Sequence, residues 1–163
     1  MPAYTAPLRD YRFIFRDFLH IERYANTPGF QDASLELIDQ VLEEGAKFCE
    51  EVLAPLNAVG DHEGCVRHPD GSVTTPTGFK EAYKKYVEAG WPGIGSTSEF
   101  GGQGLPRVVN LAFSEMVASA NMAFGMYPGL SHGAYEAILH HGSQEQKEKY
   151  LPKIVSGEWT GTM

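Results

Sequence analysis

The stretch from Arg107 to Ala120 is apolar on almost every side of a helix: Val108, Val109, Leu111, Ala112, Phe113, Met116 and Val117 leave no continuous polar face. A helix of that kind is a buried one, so the rest of the chain has to wrap it. The wrapping elements are visible as further helical periodicities. Leu8, Tyr11, Phe15, Phe18, Leu19 and Ile21 recur near 3.6 residues up to about Tyr24, with Phe13 and Ile14 widening the stripe toward more than one neighbour. Thr27-Pro28-Gly29 closes that segment. Ser34 is a good N-cap for a second helix to about Leu53, with Ile38, Val41, Leu42, Gly45, Cys49, Val52, Leu53 and Leu56 on one face. Gly45 in its middle predicts a close helix crossing, and Pro55 is expected to stop or bend it.

Residues 59–75 read as irregular, with Asp70-Gly71 turning between two short extended pieces. Thr75-Pro76 opens a third helix carrying Phe79, Tyr83, Tyr86 and Val87, which Gly90 ends. The buried helix follows a glycine-rich loop. A further helix is expected after Pro128, and the last starts at the capping box Ser143–Gln146, with Pro152 late in it and Gly157 beyond it. The sum is an all-α bundle of about six helices with a C-terminal strand stub at residues 158–163. A lone strand cannot satisfy its backbone groups, so the chain reads as the front portion of a longer protein.

A net charge of −8 with basic residues scattered singly or in pairs excludes a nucleic-acid face. Cys49 falls on an apolar helix side and reads as a buried free thiol, with no spacing to Cys65 that suggests a metal or a disulfide. No segment approaches a membrane span and no charged leader or apolar signal segment opens the chain, so a cytoplasmic location is expected. No metal ligand set is expected: His140 and His141 point about 100° apart on a helix, and His62 and His68 lie among exposed loop residues. Ser131-His132 has no nucleophile-elbow context. The Phe100–Pro106 glycines lack the Lys-Ser/Thr of a phosphate cradle and read as a sharp loop.

Gly125-Met126-Tyr127-Pro128-Gly129-Leu130-Ser131-His132-Gly133 is the subtler feature. Glycines four apart leave one helical face bare, which permits either a close helix crossing or the wall of a cavity for a slender ligand. With Pro128 setting the helix start, Gly125 is expected outside the helix.

Several blocks in register carry a resemblance. Phe79-Lys80-Glu81-Ala82-Tyr83, Glu88-Ala89-Gly90-Trp91 and Glu99-Phe100-Gly101-Gly102-Gln103-Gly104-Leu105-Pro106 come first. His141-Gly142-Ser143-Gln144-Glu145-Gln146-Lys147, Tyr150-Leu151-Pro152, Ser156-Gly157-Glu158 and Gly161-Thr162-Met163 follow. Over residues 35–163 this order resembles the N-terminal part of the acyl-CoA dehydrogenases. Pro2–Asp10 and Val59–Cys65 are similar to a branch with an extended N-terminus that includes the methylthiopropanoyl-CoA dehydrogenases. One departure is Gly95-Ser96-Thr97-Ser98, where the family pattern has a Pro-containing turn.

The resemblance implies three units: residues 1–33 as an N-terminal extension with one helix, 34–157 as the helical domain, and 158–163 as the start of a truncated central β-domain. It implies an FAD enzyme that desaturates fatty acyl-CoA thioesters, a Glu removing the α-proton while hydride passes to the flavin. That Glu and the Thr-Glu-Pro flavin loop would lie beyond Met163, so no catalytic or cofactor-binding residue is expected here. It implies acyl-CoA and an electron-transfer protein as partners, a homo-oligomer, and one wall of the acyl slot formed by Gly125, Met126, Gly129 and Gly133, with Tyr127 and Leu130 secondary. The alternative is a free-standing helical interaction module without catalytic activity.

Overall fold

The computed structural model describes residues 4–27 and 29–162. Met1, Pro2 and Ala3 of the expected branch signature Pro2–Asp10, Pro28 of the first helix stop and Met163 of the terminal strand lie outside them. Seven α-helical segments make six rods: α1 (Leu8–Arg12), α2 (Leu35–Phe48), α3 (Ala54–Glu63), α4 (Phe79–Glu88), α5 (Arg107–Ala120), α6 (Met122–His141) and α7 (Gln144–Val155). A π-helical turn, Cys49–Leu53, joins α2 to α3 without a break. Strands β1 (Val66–Arg67) and β2 (Val73–Thr74) form a small antiparallel hairpin around Asp70-Gly71.

α5 packs against α2 and α6 through Val109, Ala112, Phe113, Met116, Val117 and Ala120, which are buried, but it is not wrapped on every side as expected: Arg107, Leu111, Ser114, Glu115 and Ser119 form an exposed stripe along it. The close crossing expected at Gly45 is present. A Cβ there would lie 2.8 Å from Phe113 Cδ2, so only glycine lets the Phe113 ring stack at 4.2 Å on Trp91. A smaller cluster of Phe100, Tyr135, Leu151, Ile154 and Val155 joins α6 and α7 to the glycine loop. The Ser143–Gln146 capping box is formed in both directions.

Four boundaries differ from the sequence reading, each for a local reason. The first helix is α only to Arg12, continues as a π turn over Phe13–Phe18, and breaks at His20, whose φ of 48° is left-handed. Tyr11, Phe15 and Ile21 are buried, but Phe13, Ile14 and Phe18 remain on the surface rather than meeting further neighbours. Pro55 does not stop the second rod, because the π turn Cys49–Leu53 directly before it widens the helix and takes up the bond and the space that the proline ring denies. The helix therefore runs through residues expected to be irregular and ends at Glu63 before Gly64. α4 begins at Phe79 rather than at Pro76, because Gly78 adopts a φ of 85° that no helix tolerates. Finally, Gly157 (φ 73°) turns the chain back, and residues 158–162 form no strand pairing among the described residues. They are held instead by Trp159 N donating to Lys153 O at 3.0 Å and Gly161 N donating to Ser131 Oγ at 3.1 Å.

Candidate functional site

α6 does not wait for Pro128. Asn121 sits between α5 and α6 in extended conformation, almost wholly buried, and its Oδ1 accepts from Phe124 N at 3.0 Å to cap the helix. Its amide donates to Leu53 O at 3.2 Å, at the end of the π turn. With the start fixed there, Pro128 lies inside the helix, where it forfeits the hydrogen bond to the Phe124 carbonyl and its ring crowds that carbonyl, at a cost of about 3 kcal/mol. All three glycines are therefore helical, contrary to the expectation that Gly125 stands outside.

The two roles left open for the bare face divide between residues. A Cβ on Gly125 would come within 3.2 Å of Val117 Cγ1, so this glycine lets α5 and α6 cross closely. Cβ atoms on Gly129 and Gly133 would meet nothing within 4 Å. Beside the bare stretch is a half-open cavity of about 330 Å³ between α4, α5, α6 and the glycine loop. Gly125, Met126 and Gly129 border it, with Tyr83, Trp91 and Phe113 as its aromatic side.

The other three expected wall residues stand elsewhere. Gly133 is bare but does not border the cavity. The Tyr127 ring packs edge-on against Tyr83 at 5.1 Å, and its hydroxyl lies 3.2 Å from Thr160 Oγ1. Leu130 lies under Gly161, where a Cβ would be 2.8 Å from the Leu130 carbonyl oxygen. Tyr127 and Leu130 thus face the returning segment 158–162.

Residues that the sequence reading did not select also border the cavity: Ser96, Asn110, Ser114 and His132. His132 Nε2 is 3.7 Å from Glu136 Oε1, and His140 Nε2 is 3.2 Å from Glu136 Oε2. These i, i+4 pairs were visible as spacing, and Glu136 was overlooked as the partner of His140. Among the described residues no group of three His, Cys, Asp or Glu suits a metal ion. No helix among them is long and apolar enough to cross a membrane.

Chemically, the cavity wall binds rather than reacts. Burial, reinforced by Tyr127, pushes the Tyr83 phenol up to about 12, and burial raises Tyr86 as well, so both stay protonated at neutral pH. Tyr83 uses its proton to donate to Gly157 O at 3.0 Å. Cys49 is no nucleophile either: it is fully buried, and burial with the neighbouring Glu50 pushes its thiol up to about 12.

The fold and site together define an all-α bundle with a half-open, glycine-sided cavity near one end. Comparison with known proteins makes this specific. The family profile described as "Acyl-CoA dehydrogenase, N-terminal domain" matches residues 36–158. The chain belongs to the acyl-CoA dehydrogenase family. It is 42% identical over 164 residues to a 3-methylmercaptopropionyl-CoA dehydrogenase of Ruegeria pomeroyi, covering 99% of this chain and 27% of that protein. A butyryl-CoA dehydrogenase of Syntrophomonas wolfei is 34% identical, with 98% and 27% covered. Among solved structures, an acyl-CoA dehydrogenase complexed with FAD from Bacillus anthracis aligns with a TM-score of 0.60 at 25% identity, over 80% of this chain and 20% of that one. The chain thus spans about a quarter of the length of the curated relatives it matches.

Proposed function

We propose that this chain is the front part of a flavin-dependent acyl-CoA dehydrogenase and that α6 forms one wall of its acyl slot. The observation that carries the reading is the open space over Gly129 beside a cavity of about 330 Å³, at the lower end of the usual range for small-molecule sites. Gly125 and Gly129 contribute backbone only, so a slender chain can lie against the helix. Met126 supplies a flexible apolar rim and the aromatic side excludes water. In this reading residues 34–157 are the helical domain, 1–33 an extension and 158–163 the lead into the next unit.

FAD, when bound by the whole protein, would supply the hydride acceptor. The cavity described here does not fit it. No Lys or Arg borders it to meet a pyrophosphate, and no strand–glycine loop–helix cradle adjoins it. The chain's own contribution is to bind and orient the acyl chain and to keep water out. Proton removal from the α-carbon and passage of electrons to a partner flavoprotein fall to other parts of the protein, and assembly of several copies completes the proposed enzyme.

Anaerobic mixing of the full-length flavoprotein with butyryl-CoA tests this directly. The flavin absorbance is expected to bleach as the thioester is desaturated. A full-length protein that carries flavin and is bleached by no acyl-CoA would contradict the reading and favour an interaction module.

A further inference from the structure

The cavity is not uniformly apolar, and its polar groups lie together. Some of its polar side chains are already engaged: the Tyr135 hydroxyl accepts from Thr97 N at 2.9 Å, and the Ser131 hydroxyl accepts from Gly161 N at 3.1 Å. Ser96, Asn110 and Ser114 border the same cavity, and their side chains make no hydrogen bond among the described residues. Ser96 is only 5% exposed, so its free hydroxyl belongs to the cavity and not to open solvent, whereas Asn110 is half-buried and Ser114 is exposed at the cavity's rim. Asn110 and Ser114 are one turn apart on α5, and Asn110 packs on the loop at Gly95, where a Cβ would lie 3.2 Å from its own. This puts Asn110 beside the loop that carries Ser96.

An unsubstituted alkyl chain filling this space would displace water from these groups and return no hydrogen bonds. A chain that ends in an oxygen function would satisfy them. We propose that the polar side of the cavity bordered by Ser96, Asn110 and Ser114 receives a hydrogen-bonding oxygen carried by the acyl chain beyond its thioester carbonyl, so that the preferred substrates are acyl thioesters oxygenated on the chain. The hydroxyls and the carboxamide each donate and accept, which suits a hydroxyl or carbonyl and not a permanently charged end, since no Lys or Arg borders the space. The inference rests on the reading of this cavity as the acyl slot.

The test compares hexanoyl-CoA with 5-hydroxypentanoyl-CoA, which have equal numbers of chain heavy atoms, on the full-length flavoprotein. The ratio of kcat/KM values is expected to favour the hydroxylated thioester by about tenfold or more, as for a site built to hydrogen-bond its substrate. Ser114→Ala, a surface-compatible change, and Asn110→Leu are each expected to bring that ratio toward one. A wild-type ratio at or below one, or a ratio that neither substitution moves, overturns the proposal. Bleaching by hexanoyl-CoA without a hydroxyl preference removes this inference alone. Bleaching by no acyl-CoA removes the dehydrogenase reading and this inference with it.

Discussion

Replacing Asn121 with alanine is expected to lower the unfolding free energy of the chain by about 1.5–2.5 kcal/mol. Asn121 is 1% exposed and serves two ends at once. Its oxygen caps α6 at Phe124 N, and loss of a cap costs about 1 kcal/mol. Its amide donates a second hydrogen bond to the Leu53 carbonyl, which as the N-cap carbonyl of α3 keeps its intrahelical bond, so this loss costs about 0.5–1.5 kcal/mol. Asn121→Ser keeps a capping oxygen but is too short to reach Leu53, so it should recover only the capping part. Urea unfolding of the three proteins measures both steps. A loss below about 1 kcal/mol for Asn121→Ala would show that water or a backbone shift replaces the bond.

The second large effect is on specificity. In the full-length enzyme, Gly129→Phe is expected to lower kcat/KM for long acyl-CoA substrates by about 10–100-fold while changing that for butyryl-CoA by less than about threefold. Each methylene displaced from an apolar site forfeits about 0.8 kcal/mol, so losing burial of two or three gives an effect of that size. The fold should survive, because a side chain at Gly129 meets no neighbour within 4 Å at its Cβ. Gly125→Phe is not an equivalent test, since a side chain there strikes Val117 and opens the α5–α6 crossing. Equal losses across chain lengths would count against α6 as the slot wall.

The bundle was legible in the sequence because its strongest signals are local and mutually consistent. The glycine crossing at residue 45 and the capping box at Ser143 each dictate their structure within a few residues, whereas the helix at 107–120, though apolar on most sides, leaves Leu111 on an exposed stripe. Misreadings came where a proline or glycine admits two outcomes that only position decides. Pro55 and Pro128 look like helix stops, yet one follows a π turn that carries the rod past it and the other lies inside a helix whose start is fixed by a buried Asn. Gly78 excludes a helix start at Thr75-Pro76 through a positive φ that no periodicity reveals.

The candidate site was half legible for a related reason. Four-residue glycine spacing marks a bare face, and Gly125, Met126 and Gly129 do border a cavity. Spacing alone cannot tell which bare positions a returning segment will cover, and Tyr127 and Leu130 meet residues 158–162 through contacts some 30 residues distant in sequence. Ser96, Asn110 and Ser114 carry no motif at all. Only the approach of the glycine loop to α5 brings them to one space.

A crystal structure of the full-length flavoprotein with a non-oxidisable 3-thia-acyl-CoA tests the central claim most directly. The acyl carbons are predicted within about 4 Å of the α6 backbone at Gly129, the distance of apolar contact. An acyl chain seated away from α6, with another part of the polypeptide packed over Gly129, would contradict it.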